Sequence, residues 1–509
     1  MKGKKLYIYP LIICLFWGMV QVLGTVFPWS DSVAYRSYFV VLYGLVFAVL
    51  IILMVLICKK IKWKYENLFV FLVISWGIIY SLLIPPASGL DEHAHYVSTY
   101  YASNMVLGIE GMNGRVEDDQ MELLLMGPSP QKYLDVAEEN WGLSDDNEIV
   151  PLPEYQWILD TNRYIATTIG VVLGRLLNLG FMSMIFLGRF FNTLLYAICG
   201  YIAVKITPIG KTQILCFSLI PMMVNIYSSY SYDTLSNSFV ILFVALCMYY
   251  SECKRKINCL DVLLLIMLSF LILQNKGVYI AFTLLIFMIP VSKWLELWKS
   301  IIDSRFGKIL LCLGSICAIT LFLRFGLPYL KYYINVMLTF GTVNEQIGAP
   351  TTYTVGYCLQ HPIDALKLIG NSFIGNSEIY FLSMMGLGLG HPPLKIVLSR
   401  IIIYGIAICF LLSIYADKGQ RVSKRKMKIL GVSIIICLAL IIVGAMTRFT
   451  PIDSNVIGVT GRYLLPPFFV FFYMFGTDIK ENDEILSVIY TQNILLALSV
   501  FHIIDSVFH

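Results

Sequence analysis

Charge is what this sequence has least of. Asp, Glu, Lys and Arg make up 14% of its 509 residues, and there are only six histidines. A soluble domain carries about 25% charged residues and roughly 45–50% apolar ones. Here the apolar share is 58% and the mean hydropathy +0.76. That excludes a soluble globular protein and points to an integral membrane protein with many spans. The net charge of +5 is no nucleic-acid signal. Its basic residues sit in short clusters between apolar runs, as the positive-inside rule expects.

Other signals are missing too. Cysteine is present, twelve residues of it, but no CxxC pair occurs and most lie in or beside apolar runs. Only Cys358 falls in a long segment placed outside the membrane, so a disulfide framework is not indicated. Buried thiols acting as small hydrophobes are the simpler reading. The N-terminus, Met1-Lys2-Gly3-Lys4-Lys5 before an apolar run, has the charge of a signal peptide. That run is longer than an h-region of roughly 7–15 residues and no small-x-small site follows, so it reads as a retained first span. No repeat of fixed period is visible.

What is there is a series of apolar windows about twenty residues long, the length that crosses a hydrocarbon core. They cover 7–27, 37–58, 67–84, 181–204, 213–230, 234–251, 260–275, 278–291, 308–326, 396–415, 428–446, 463–477 and 486–506. The expected fold is therefore an all-α polytopic membrane protein with about thirteen transmembrane helices. N-terminal spans (1–84) lead to a first polar segment (85–180). Central spans (181–327), a second polar segment (328–395) and C-terminal spans (396–509) follow. Within the first segment, 161–180 is interrupted by Arg163 and Arg175, which favours a helix lying at the interface over a span.

Charge sets the orientation. With the N-terminus cytoplasmic, loops 59–64, 205–211, 254–256, 293–308 and 418–428 fall inside and are net basic; 478–484 is the exception. Both long polar segments then lie outside a cell membrane. The third window stops at Pro85-Pro86, which cannot continue a helix. Directly after it comes Ser88-Gly89-Leu90-Asp91-Glu92-His93-Ala94-His95-Tyr96. Ionisable clusters at the mouth of a membrane helix are expensive, and mark functional sites by default. The same face collects Asp233, Lys276, His361, His391, Arg448, Asp453 and Arg462-Tyr463.

Each has a plainer alternative. Asp91 suits an N-cap, and Glu92 suits the first turn of a helix dipole. His95, four residues after Asp91, suits a local pair on a helix face. His93 reads as exposed. Asp233 suits a helix start. Lys276 and Arg462 suit snorkelling at an interface, and Tyr96, Tyr100 and Tyr101 suit interfacial aromatics. A zinc site from His93, His95, His361 and His391 has the ligand type but not the spacing.

Several blocks in order resemble a bacterial family of polytopic membrane proteins catalogued as domain-of-unknown-function 2142. They are Asp91-Glu92-x-x-His95, Ser231-Tyr232-Asp233, Lys276-Gly277-Val278-Tyr279, His361-Pro362, a glycine-rich stretch from Gly386 to Gly390, and Gly461-Arg462-Tyr463 through Pro466. Leu90 stands where the family usually has Pro and Thr460 where it commonly has Gln; the glycine-rich stretch lacks an expected Trp. That family in turn resembles glycosyltransferases of the C-type fold, which use polyprenyl-phosphate-linked sugars and carry an acidic motif in an early outside loop.

The resemblance implies a transferase that moves a sugar from a polyprenyl-phosphate donor to a cell-surface glycan acceptor. Asp91 would be the general base. Glu92 would orient the acceptor or bind a divalent ion, Mg or Mn if one is used. Lys276 and Arg462 would hold the phosphate, with His95, Asp233 and Tyr463 on the substrate. A flippase or transporter of lipid-linked sugars, or a polysaccharide polymerase or ligase, are the alternatives.

Overall fold

A computed structural model describes residues 36–58, 63–120, 132–133, 136, 140–144, 148–152, 160–304, 320, 322–328, 331, 353, 355–390, 396–415, 422–452, 454–475 and 483–508. The described residues are helical almost throughout. The described residues contain one two-stranded antiparallel ribbon, β1 (Asn113–Arg115) on β2 (Ile149–Pro151), with Gly114 opposite Val150.

The helices begin with α1 (Arg36–Cys58), α2 (Tyr65–Leu83) and α3 (Glu92–Leu107), followed by α4 (Ile165–Leu176) and α5 (Phe181–Ile206). Two short helices, α6 (Lys211–Ser218) and α7 (Pro221–Tyr227), precede the long α8 (Asp233–Glu252). Next are α9 (Cys259–Asn275), a 3-10 helix over Gly277–Met288, and α10 (Val291–Asp303). The second polar segment contributes α11 (Val355–Gln360), α12 (Pro362–Gly370) and α13 (Ser377–Met385). The chain closes with α14 (Arg400–Tyr415), α15 (Lys424–Phe449), α16 (Leu465–Tyr473) and α17 (Asp483–Phe508).

Among the described residues, five helices are long and apolar enough to cross a membrane: α2, α5, α8, and most of α15 and α17. The windows 37–58, 260–275 and 396–415 are shorter apolar helices by the same measure. Three other windows are not continuous α-helices. The 213–230 window breaks at Leu219-Ile220 because Pro221 starts α7 and has no N–H to continue α6. The 463–477 window opens with a 3-10 turn at Gly461–Leu464, and α16 has nine residues, about 14 Å at 1.5 Å per residue. The 278–291 window is the 3-10 helix. Its buried Tyr279, Phe282, Leu285 and Met288 recur at every third position, the spacing that a three-residue turn stacks on one side. Window 7–27 and most of 308–326 lie outside the described residues.

The chain forms two compact units. One takes the described residues up to Ala245, Met385–Val422 and those from Phe475 on; the other takes Leu246–Met384 and Ser423–Met474. In the first unit α5 packs against both α2 and α4, α3 lies on α4, and α14 packs on α17. Side-chain hydrogen bonds join its helices: Trp76 Nε1 donates to Asn493 Oδ1 at 2.6 Å, and the Tyr80 and Ser499 hydroxyls meet at 2.7 Å. Water does not compete for such bonds between membrane helices. In the second unit the 3-10 helix packs on α15 and α9.

Candidate functional site

The acidic block is shaped by a buried ion pair that joins residues 97 apart in sequence. Pro85 ends α2, leaving carbonyls without helical partners. The guanidinium of Arg189, on α5 and fully buried, fills that gap. Its Nη1 donates to Ser81 O (2.8 Å) and Ile84 O (2.7 Å), and its Nη2 to Pro85 O (3.3 Å). The remaining N–H groups go to Glu92: Nε to Oε1 at 2.9 Å and Nη2 to Oε2 at 2.7 Å. All five donors of the guanidinium are used. Glu92 also accepts from the amides of Gly89 (3.3 Å) and Tyr230 (3.1 Å). One carboxylate thus fixes the end of α2, the loop after it and the turn before α8.

Glu92 was expected to orient an acceptor or bind a divalent ion. Instead both of its oxygens are engaged inside the protein, and an ion there would have to displace Arg189. Among the described residues no group of three or more His, Cys, Asp or Glu is placed to hold a metal.

Asp91 takes the N-cap position of α3 but does not cap it. Its backbone is left-handed (φ 58°) and its side chain makes no capping hydrogen bond. Ala87, four residues earlier, is left-handed as well (φ 66°). Non-glycine residues there are uncommon, Asp being better tolerated than Ala. Two in one loop are held by their surroundings, and such outliers gather at functional sites. Asp91 is exposed while Glu92 is buried.

His95 is buried, one turn further on. Its Nδ1 lies 2.8 Å from the Tyr164 hydroxyl, and its ring meets Tyr232 edge-on at 5.1 Å. Arg163 covers the Tyr232 ring at 5.5 Å and pairs with Asp160 at 3.0 Å. Burial pushes the Tyr164 phenol well above its usual pKa; Arg163 pulls it back, and Asp233 adds to the rise. Asp233 is buried and opens α8. The first unit therefore brings His95 and Asp233 to the Tyr164–Tyr232 pair, with Glu92 tied to the same turn through Tyr230. His93 is half-buried rather than exposed. Burial lowers its pKa, and Asp119 partly restores it.

Tyr96 and Tyr100 are core residues, not interfacial ones. Tyr100 donates to Asp118 Oδ2 at 2.6 Å, Arg115 pairs with Asp118 at 2.9 Å, and Arg175 lies 4.5 Å over the Tyr100 ring. This network fastens the β-ribbon segment onto α3 and α4.

The second unit gathers the other three expected residues. Lys276 ends α9, and its Nζ sits 3.7 Å from the centroid of the Tyr463 ring. Arg462 lies 5.9 Å from the same centroid. The Tyr279 hydroxyl donates to Tyr463 O at 3.2 Å, tying the start of the 3-10 helix to the Gly461–Leu464 turn. Lys276 and Arg462 are both buried. Gly461 is required: a Cβ there would collide with the backbone amide of Met384 on α13. Beyond the turn, Leu464 and Phe468 join Phe373, Tyr380, Phe381 and Phe471 around an apolar cavity of about 310 Å³.

Two placements escaped the sequence reading. Arg189 is a lone cation inside an apolar window; its cost in a membrane helix was the available signal. Tyr164, Tyr232 and Arg163 carry no motif signal of their own. His361 starts α12 as its N-cap residue. His391 and Asp453 lie outside the described residues.

A family model described as "Predicted membrane protein (DUF2142)" matches residues 162–470, more than half of the chain. The match takes in Arg189, Asp233, Lys276, Arg462 and Tyr463; Asp91 to His95 precede it. No curated protein and no solved structure matches.

Proposed function

We propose that this protein, which belongs to the DUF2142 family of predicted membrane proteins, is a membrane glycosyltransferase that uses a polyprenyl-phosphate-linked sugar. The observation that carries this reading is the second unit's pairing of two cations with an apolar cavity. Lys276 and Arg462 converge on the Tyr463 ring, and Leu464, one residue further on, lines the cavity. Together, a point charge and a planar fork suit a phosphate. An aromatic-lined apolar space suits the chain attached to it.

In this reading the acceptor hydroxyl gives its proton to the Asp91 carboxylate as its oxygen forms a bond to the anomeric carbon. The bond from that carbon to the phosphate oxygen breaks, and the lipid phosphate departs with the electron pair. A single displacement inverts the anomeric carbon. A positioned base contributes about 10²–10⁴ in rate. Lys276 and Arg462 take up the charge of the leaving phosphate. His95 and Asp233 contact sugar or acceptor, and Tyr463 holds the two cations in place. The active site faces away from the cytoplasm, the N-terminus lies inside, about thirteen spans cross the membrane, and the acceptor is a cell-surface glycan.

The test is a strain carrying Asp91→Asn at wild-type membrane levels. Loss of one sugar from its surface glycan supports the reading; unchanged glycan composition overturns it. A transporter or flippase of lipid-linked sugars is a second reading. It is favoured by the break between α6 and α7, the second of which carries the buried Asn225, because broken helices are a hallmark of transport folds.

A further inference from the structure

We propose that α10 is an in-plane anchor that seats the second unit on an anionic phospholipid surface. The 3-10 helix and α10 are bent by 83° at a short break. Pro290 at the N-cap of α10 enforces the corner, having no N–H to extend the preceding helix. Several elements end at this corner. Lys293 donates to the carbonyls of Tyr250 and Cys253 at the end of α8. Arg425, in the first turn of α15, donates to Phe287 O at 3.2 Å, and Lys426 pairs with Glu252. Since α8 and α15 are long and apolar enough to span, their common end marks the membrane surface. A helix leaving that end at 83° to the 3-10 helix runs along it.

The faces of α10 agree. None of its residues is fully buried. Val291, Leu295, Trp298 and Ile302 are 59%, 55%, 51% and 38% exposed. At about 100° per residue these four fall within roughly 60° of arc. Trp294, Leu297 and Ile301 flank that stripe and are half-buried. On the other edge of the stripe Lys299 lies about 40° beyond Leu295, followed by Asp303, Glu296 and Lys293 out to about 160°. An apolar stripe carrying tryptophan with charge opposite it is the pattern of a helix lying at the interface.

The charge around the corner selects the lipid. Lys254, Arg255 and Lys256 follow α8, Lys299 lies on α10, and Lys424, Arg425 and Lys428 begin α15; all are exposed. Among nearby acids, Asp261 pairs with Arg255 at 2.7 Å, Glu296 with Lys256 at 3.3 Å and Glu252 with Lys426, while Asp303 ends α10. The surplus is basic, and each such residue near an anionic leaflet is worth about 1 kcal/mol. The inference is independent of glycosyl transfer.

Trp298 reports on it. The full-length protein, with and without Trp298→Phe, is placed in vesicles of phosphatidylcholine or phosphatidylglycerol brominated at a shallow or a deep acyl position. The difference spectrum isolates the Trp298 emission. The expected result is blue-shifted emission, quenched more by shallow than by deep bromines. Phosphatidylglycerol should quench at least twofold better in an equimolar mixture, and Lys254→Gln/Lys256→Gln/Lys299→Gln should remove that preference. Emission quenched by iodide in water overturns the anchor, as does blue emission that neither lipid quenches, which would mean protein covers the stripe. Equal quenching by both lipids overturns the anionic preference.

Discussion

Replacing Arg189 with Met removes the centre of the first unit's polar core. Glu92 would keep only the amides of Gly89 and Tyr230 as donors, and the carbonyls of Ser81, Ile84 and Pro85 would lose theirs. Leaving one partner of a buried ion pair behind costs about 3–5 kcal/mol. Each buried carbonyl stripped of its donor adds about 1–3 kcal/mol where no water reaches it. These terms overlap, so a loss of about 4 kcal/mol is a fair lower figure, near a thousandfold in the folded ratio. Detergent-solubilised full-length protein, followed by thermal unfolding and by monodispersity on gel filtration, reads this directly. Glu92→Gln should cost less, because it leaves a neutral side chain beside a guanidinium that still serves three carbonyls. Arg189→Met/Glu92→Met should be more stable than Arg189→Met alone, with a coupling of about 2–3 kcal/mol. An Arg189→Met protein that melts with the wild type, or strictly additive single effects, would refute the account of this hub.

Other expectations follow from the same geometry. His93 has its pKa lowered by burial, so below about 6.5 the unfolded chain takes the proton first. The stability this group supports is complete above that pH and falls away as pH drops toward the folded value; His93→Gln should flatten the melting-temperature profile there. Gly461→Ala should force the Arg462 turn off α13, costing about 1–3 kcal/mol by thermal unfolding. Lys276→Met should lower retention of a radiolabelled polyprenyl phosphate at least tenfold with little loss of stability, whereas equal retention would remove Lys276 from the phosphate site. Tyr164→Phe deletes the hydroxyl on His95 Nδ1; thermal unfolding should show a loss of about 1 kcal/mol, and an unchanged melting temperature would mean that bond is absent.

Much of this architecture is legible in composition alone. The apolar windows at 67–84, 181–204, 234–251, 428–446 and 486–506 correspond to helices of spanning length. Failures come where apolar content and helix type part company. Pro221 is visible in the sequence, yet the run around it stays apolar and reads as one span. The 3-10 helix over Gly277–Met288 has the composition of an α-helix, and the three-residue spacing of its buried Tyr279, Phe282, Leu285 and Met288 is hidden in a run that is apolar at nearly every position. In the candidate site, local pattern finds Asp91, His95, Asp233, Lys276 and Arg462 because each departs from its apolar surroundings. It does not find which neighbour each will meet. Glu92 and Asp91 look equivalent as adjacent acids. A cation 97 residues away makes one an internal strut and leaves the other exposed.

Reconstitution tests the central claim most directly. Purified wild-type protein and Asp91→Asn are placed in liposomes with a set of polyprenyl-phosphate-linked sugars and a crude surface-glycan acceptor. Transfer to the acceptor and movement of the donor across the bilayer are measured in the same vesicles. The account predicts transfer with inversion by the wild type, a fall of at least a hundredfold in Asp91→Asn, and no net movement of donor. Donor movement without transfer, or transfer undiminished in Asp91→Asn, would contradict it.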